Sequence, residues 1–344
     1  MSTTLQDILT VEAAAVGLTE FGISPPVIDP AAVCALDRWR AAGFFGGMEW
    51  MADTGRRRTE PFSLYPAGRS IIVFVVPYFW PDAPTPNLRI SRYARSRDYH
   101  HLVTAKLERL LQRLRAQVPN LDGRIAVDTA PLLERPLAVQ AGLGWLGKNS
   151  CFIHPRFGSW IFLGELMINQ KLPFSEPGGE SHCGDCTLCL EACPTGALVA
   201  PGVLDARRCL SYLTIEHRGI IPPAFKGHLD GALFGCDRCQ EVCPFNHRAA
   251  ATPLPDFRPL KEITELTADH LAAMSGHAFR RALGQTPLAR TRLAGLLRNL
   301  VALQAEEGAA ILSPTTLKKI LNRSELARRQ HEAFLASPTP QTRD

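Results

Sequence analysis

Two cysteine-rich stretches set the chemistry available to this chain. In "HCGDCTLCLEACPTGA", residues 182–197, Cys183, Cys186, Cys189 and Cys193 follow C-x2-C-x2-C-x3-C-P spacing. In "CDRCQEVCP", Cys236, Cys239 and Cys243 repeat the pattern in weakened form, with Leu233 where one more cysteine is expected. Short x2 steps wrap a turn so that three sulfurs converge on one face, whereas the cysteine before proline heads a new segment and points elsewhere. Cys209, in "ARRCLSYL", is the remaining candidate for an eighth ligand. Sulfur sets of this kind hold iron–sulfur clusters, which store electrons and pass them on singly. A separate site must use those electrons.

If the pre-proline cysteine of each run serves the other run's cluster, as in two-cluster ferredoxins, the ligands divide into two 4Fe-4S sets. Cys183, Cys186, Cys189 and Cys243 form one set, and Cys193, Cys209, Cys236 and Cys239 the other. A pair of structural zinc ions is the competing reading of C-x2-C, and three cysteines at x2 spacing ahead of C-P disfavour it. The expected location agrees with clusters. "MSTTLQDILTVEAAAVG" has no basic stretch leading into an apolar run, and Arg56, Arg57 and Arg58 lie too far in for an export signal, so a cytoplasmic protein is expected. In that reducing compartment ten cysteines argue for metal ligands over disulfides. Cys34 and Cys151 stand apart in apolar surroundings and are expected to be small buried hydrophobes.

Charge says little about partners. The formal net charge is +5, but eight thiolates carry about −8 and two oxidised cluster cores about +4, which leaves the loaded protein at about +1. Any nucleic-acid site must therefore be a local patch, such as "RISRYARSRDYHH" (residues 89–101) or the C-terminal arginines. The first of these combines arginines with Tyr93, Tyr99 and two histidines, and it also reads as a solvated helix start.

The candidate acid is Asp128, in "AVDTAPLLERPLAVQAGLGWLGKNS". It closes a strand pattern ahead of Pro131, at the carboxyl end where α/β sheets place their ligands. Spacing alone favours the plainer reading that it caps the next helix. Gly142, Gly144 and Gly147 imitate a dinucleotide fingerprint poorly, because they follow a helix pattern instead of a strand, which argues against NAD.

These residues need a frame. With 344 residues, 46% of them hydrophobic, the chain can bury a large core in two or three domains. "TTLQDILTVEAAAVGL" has helical spacing, and Asp29 and Pro30 look like the cap and first turn of a helix through Ala42. "SIIVFVV" reads as a buried strand too short to span a bilayer, so no membrane partner is expected. "DYHHLVTAKLERLLQRLRAQV" is a long amphipathic helix, "GRIAVD" a strand, "PLLERPLAVQAGL" a helix and "SWIFLGELMIN" a strand. This predicts an α/β domain over residues 1–175, ending in the linker "NQKLPFSEPGGESH". A ferredoxin-like two-cluster domain over 176–250 follows. Next comes a C-terminal α-helical region over 251–335, carrying "ARTRLAGLLRNLVALQA" and "PTTLKKILNRSELARRQHEAFL", and then a disordered tail over 336–344.

Taken together, "YARSRDYH", "VDTAPLLER", "GLGWLGKNS", "GSWIFLGE", the two cysteine runs, "CLSYLTIEHRG" and "FGCDRCQEVCPFN" resemble the epoxyqueuosine reductase family over roughly residues 5–310. The resemblance implies an oxidoreductase that reduces epoxyqueuosine to queuosine at the wobble position of tRNA, using cobalamin and two 4Fe-4S clusters. The first domain would then be a cobalamin-binding one, with the corrin between it and the cluster domain. Asp128 matches the family's proton donor, and burial away from cations would have to raise its pKa for it to stay protonated. Arg58, Tyr93, Asp128, Lys148, Asn149, Ser150 and His154 are the implied cobalamin contacts, and Arg218 and Lys226 the implied tRNA contacts. No D-x-H-x-x-G motif supplies a histidine beneath the cobalt. The expected partners are the tRNA and a low-potential electron donor that the sequence does not identify, with the protein a monomer. The competing readings are a dehalogenase-like reductase of a small molecule with the same cofactors, and a non-catalytic ferredoxin-like electron-transfer module.

Overall fold

The run "SIIVFVVP" has no polar face to offer water, and the first half of the chain is built around it. The structure, a computed structural model, describes residues 4–53, 56–81, 88–306 and 311–337. Helices α1 (Leu5–Ala15) and α2 (Pro30–Ala41) start as the sequence predicts, the second with the Asp29 side chain accepting from the Ala31 N–H. Strand β2 (Ser70–Pro77), buried along its whole length, lies inside a four-stranded sheet with β1 (Glu20–Ser24), β3 (Gly123–Ala126) and β4 (Ile161–Ile168), in the order β1-β2-β4-β3. All three pairings are antiparallel, and both Val73 of β2 and Ala126 of β3 lie opposite Glu165 of β4.

Alternate residues of β2 enter two different cores, as the period of a strand requires. Ile72, Phe74 and Val76 pack with Val103, Leu107, Leu110 and Leu114 of α3 (Tyr99–Gln117). Ile71, Val73 and Val75 pack on the other face with Leu137 and Ala138 of α4 (Glu134–Gln140). Each such side chain withdrawn from water contributes about 1.5–3 kcal/mol. Helix α4 is shorter than the pattern predicts because residues 127–132 form tight turns, and strand β1 was not anticipated.

A third core joins α5 (Arg292–Gln304), α6 (Pro314–Arg323) and α7 (Glu325–Leu335) to the strand Ala232–Phe234, and it includes Leu88, Ile90 and Ala94. Ala232–Phe234 pairs in parallel with Arg89–Ile90. The stretch after residue 88 thus crosses from the first half of the chain into this core. Fully buried Arg298 fastens α5 there, donating to the carbonyls of Leu213 (2.7 Å), His217 (2.6 Å) and Gly219 (2.7 Å). The pattern expected as one helix breaks at Ser324, which ends α6 and whose hydroxyl accepts from Ala327 to start α7. Of the expected tail, Ala336 caps the last helix and Ser337 follows it, and residues 338–344 lie outside the described residues. No described helix is long and apolar enough to cross a membrane.

Candidate functional site

The structure gathers the cysteines of the two runs across, not along, the sequence. Cys183, Cys186 and Cys243 all act electrostatically on Cys189, and Cys243 faces Cys183 and Cys186. In the other group Cys209 faces Cys193, Cys236 faces Cys209, and Cys239 faces both Cys209 and Cys236. Backbone N–H groups point at the sulfurs. Ala197 donates to Cys193 Sγ at 3.2 Å, Ser211 and Tyr212 donate to Cys209, Arg238 to Cys236, and Phe245 and Asn246 to Cys243. Such donors stabilise thiolate charge on cluster ligands and tune the cluster. Among the described residues no three His, Cys, Asp or Glu side chains close on a single ion. The quartets are wider sets, suited to a multi-iron core. Leu233 is fully buried in the C-terminal core and out of play as a ligand position.

The two isolated cysteines depart from expectation. Cys34 is exposed on α2. Cys151 is hydrogen-bonded to Cys239 of the second quartet, a fifth sulfur at that centre. The loop before it braces both quartets. Lys148 Nζ donates to the Gly184 carbonyl at 2.6 Å, and Asn149 Nδ2 donates to the Cys239 carbonyl at 3.3 Å. The polar ends of these two expected cobalamin contacts are therefore turned to the cysteine loops. Ser150 differs: it has a left-handed backbone (φ 65°) and a buried hydroxyl with no partner among the described residues. The nearby glycines serve close backbone approach, since a Cβ on Gly144 would fall 2.1 Å from the Ile153 carbonyl.

Asp128 follows β3 at the centre of a three-residue turn, closed by Thr129 N–H to the Val127 carbonyl at 2.5 Å, and it has φ 49°. It does not cap α4, whose first turn starts from Leu133 without a side-chain cap. Its carboxylate instead meets the start of α3. Asp128 Oδ2 lies 3.0 Å from His100 Nε2, and His100 Nδ1 lies 2.6 Å from Asp98 Oδ1. Tyr99 also hydrogen-bonds to Asp128, while its ring stacks on Phe162 of β4 with centroids 4.2 Å apart. Asp98 thus does two jobs. It caps α3, accepting from the His100 N–H at 2.9 Å, and it orients the His100 ring toward Asp128.

The expectation of an acid kept away from cations is corrected here. Burial on its own would raise the Asp128 carboxyl, but the hydrogen bonds from His100 and Tyr99 and the charge of His100 override it and hold the group below its ordinary value. Burial would lower His100, and its bonds to Asp128 and Asp98 push it up to about 9. The proton of this cluster rests on the imidazole.

Around it, Arg58 is an electrostatic neighbour of Asp128 and Glu134 and donates to the Trp50 carbonyl at 3.3 Å. Tyr93 packs edge-on against Tyr99 at 6.1 Å and borders both Asp128 and Asp237 of the second cysteine loop. Tyr93 thus faces both the Asp128 turn and the second cysteine loop. His154 is not part of this group. It is buried in a turn, accepting from the Arg156 N–H and stacked on Phe157, with Glu20 at 3.8 Å.

The expected RNA contacts divide. Arg218 is half-exposed, beside Glu216 and the Arg290 carbonyl. Lys226 is a correction: it is buried, and its ammonium donates to the carbonyls of Phe334 (2.8 Å) and Ser337 (3.0 Å) at the end of α7. The arginine patch of residues 89–97 is largely spent internally. Arg89 pairs with Asp230 and Glu241, Arg92 lies over Phe79 and Trp160, and Arg95 donates to the Ile90 carbonyl. The sequence reading missed Arg290, which grips Glu216, covers the exposed Trp50 ring at 5.1 Å and acts on Asp128. It also missed the half-buried Glu134 and the buried Glu165, and it quoted His100 without a role. The one available signal was "DYHH", an Asp cap that places a histidine in the first turn of a helix.

Comparison with known proteins places the chain in a family. The family model "Epoxyqueuosine reductase QueG" matches residues 58–129, and a 4Fe-4S double cluster binding domain matches residues 182–246. An epoxyqueuosine reductase of Vibrio cholerae is 41% identical over 302 residues, covering 85% of this chain and 81% of its own. One from Gloeobacter violaceus is 41% identical over 295 residues, covering 83% and 92%. The crystal structure of an epoxyqueuosine reductase with an epoxyqueuosine-modified tRNA-Tyr stem loop superimposes with TM-score 0.83 at 27% identity, covering 96% of this chain and 98% of that one. The Bacillus subtilis reductase, seen with its catalytic aspartate loop swung out of the active site, gives 0.82 with the same identity and coverage.

Proposed function

The chain belongs to the epoxyqueuosine reductase family, and from that premise we propose how its own residues divide the work. The reaction is the reduction of epoxyqueuosine to queuosine in tRNA, in which an epoxide becomes an alkene and the oxygen leaves as water. It consumes two electrons and two protons. When bound, the 4Fe-4S clusters and cobalamin supply single low-potential electrons and the reducing cobalt.

Cys183, Cys186, Cys189 and Cys243 would hold one cluster, and Cys193, Cys209, Cys236 and Cys239 the second. The mutual proximity of the sulfurs within each set supports this division. Asp128, Arg58, Tyr93 and Ser150 are the residues that would hold cobalamin. The unpartnered Ser150 hydroxyl would suit the amide-bearing edge of a corrin, and Tyr93 and Arg58 both neighbour Asp128.

The observation that carries the mechanism is the chain Asp98–His100–Asp128. His100 holds a proton at Nε2 and shares it with Asp128 Oδ2, and Asp128 delivers it to the departing oxygen, which is a poor leaving group unprotonated. Asp98 fixes the ring and favours the imidazolium. Arg218, Arg290 and Trp50 stand at the rim and receive the anticodon loop, whose wobble base must leave its stack to reach the site. A low-potential one-electron carrier supplies the reductant, and the protein works as a cytoplasmic monomer.

The test is single-turnover reduction of epoxyqueuosine-containing tRNA by anaerobically reconstituted protein, comparing wild type with Asp128→Asn. The variant is expected to lose about a hundredfold or more of the rate with iron content and cobalamin binding unchanged. An undiminished rate removes Asp128 from the mechanism.

A further inference from the structure

Behind the Asp128 turn lie two carboxyl groups with no part in the proton chain. Glu134 opens α4 and its Oε1 accepts from the Asp128 N–H at 2.5 Å. Glu165 is fully buried at the middle of β4, opposite Ala126, two residues before Asp128. No N–H or hydroxyl of a described residue reaches either Glu165 oxygen, and the polar group that faces it is the Glu134 carboxyl.

Stability gives no reason for this arrangement. A carboxyl buried without donors is destabilising by several kcal/mol if charged and by less if neutral, and an apolar residue of similar size would pack there without that loss. Two touching carboxyls, one buried and one half-buried, also cannot both ionise. Burial and their mutual repulsion push both above the ordinary carboxylate value, so the pair keeps a proton at neutral pH. With Glu165 as the neutral member, its O–H donates to Glu134, and Glu134 is left with an oxygen that can only accept. The turn in front needs such an anchor. A non-glycine residue at φ 49° inside a three-residue turn is strained by about 1–3 kcal/mol and persists only where its surroundings hold it.

We propose that Glu134, backed by Glu165, is a positioning residue for the reaction: it locks the turn of residues 127–129 so that the Asp128 carboxylate faces His100 and Tyr99. The line of contacts runs from the central strand β4 through Glu165 and Glu134 to the Asp128 N–H. The other charged or titratable groups that face the pair are Asp128, Arg135, Arg58 and Tyr99. The inference rests on the reading of Asp128 as proton donor, and its test is chosen to be separable from that reading.

The experiment measures amide hydrogen exchange at Asp128 and Thr129 in the cluster-loaded protein without substrate, together with kcat and KM, for Glu134→Ala, Glu134→Gln and Glu165→Leu. Loss of a hydrogen bond to a charged acceptor predicts that Glu134→Ala and Glu165→Leu each speed exchange at Asp128 about tenfold or more and lower kcat comparably, with KM unchanged. Glutamine keeps an accepting oxygen at the same place, so Glu134→Gln is expected to recover most of both losses. Wild-type protection at Asp128 in Glu134→Ala and Glu165→Leu overturns the proposal, as does a Glu134→Gln variant no better than alanine. If Glu134→Ala does not fold, Glu165→Leu decides by the same exchange readout. A fully active Asp128→Asn would remove only the proton-donor reading, and the exchange rates would still judge the anchor.

Discussion

Replacing His100 with glutamine separates an imidazole-held proton from a carboxyl-held one. Glutamine keeps a donor near the Nε2 position but has nothing to titrate. In the native protein the imidazolium persists up to about 9 because Asp128 and Asp98 flank it. At about 1.4 kcal/mol per pH unit, the span from 6.5 to about 9 sets a ceiling of about 3.5 kcal/mol on its stabilisation. The His100 and Asp128 side chains are 32% and 54% exposed, and solvent screening reduces that to about 1–2 kcal/mol. The sign follows from linkage. A histidine raised in the folded state contributes fully below 6.5 and loses the contribution as pH climbs through about 9. Asp98 and Asp128 are lowered, so the same pairing is lost at the acid end as pH falls through their depressed values. His100→Gln is therefore expected to unfold about 1–2 kcal/mol more easily near neutral pH and to match wild type above about pH 10. Single-turnover reduction of the tRNA substrate, followed against pH, reads the catalytic side. The wild-type rate should hold until about 9, whereas in His100→Gln only a protonated Asp128 can donate, and the alkaline limb moves into the carboxylate range. At about pH 8 the difference should reach about a hundredfold. A wild-type rate that already falls below neutrality, or identical limbs in the two proteins, refutes the assignment of the proton to this pair.

Cys209→Ser removes the sulfur that completes the second quartet and is expected to lower bound iron from about eight atoms per chain to about four, whereas Cys34→Ser, on the exposed face of α2, leaves iron content unchanged. An unaltered iron count in Cys209→Ser would mean that another residue closes the quartet. Lys226→Met removes the two bonds from the ammonium to the last turn of α7 and is expected to reduce stability in denaturant by about 1–2 kcal/mol without changing affinity for the tRNA. Weaker tRNA binding at unchanged stability would return Lys226 to the interface.

What the sequence reveals and conceals here follows the range of the interactions involved. Cap and period are local, so the helix starting at Asp29 and Pro30, the buried strand at residues 70–77 and the long helix after Asp98 are all legible. The cysteine runs are also legible, because their geometry is set within a few residues. The contents of the active site are not local. Asp128 reads as a helix cap or as an acid at a strand's carboxyl end, and its partners appear only when β3 is laid antiparallel to β4, with Ala126 against Glu165. That register brings the turn over one carboxyl pair, while the cap at Asp98 brings His100 to its other side. Lys226 fails in the opposite direction: its type suggests phosphate, but the packing of α7 gives it carbonyls to satisfy instead. Cys151 looks like a buried hydrophobe in its own segment, and it becomes a neighbour of the second quartet only through a contact with Cys239, 88 residues away. In each case the residue's chemistry was visible and its partner was not. Register and packing across the antiparallel sheet decide whether that chemistry is catalytic or structural.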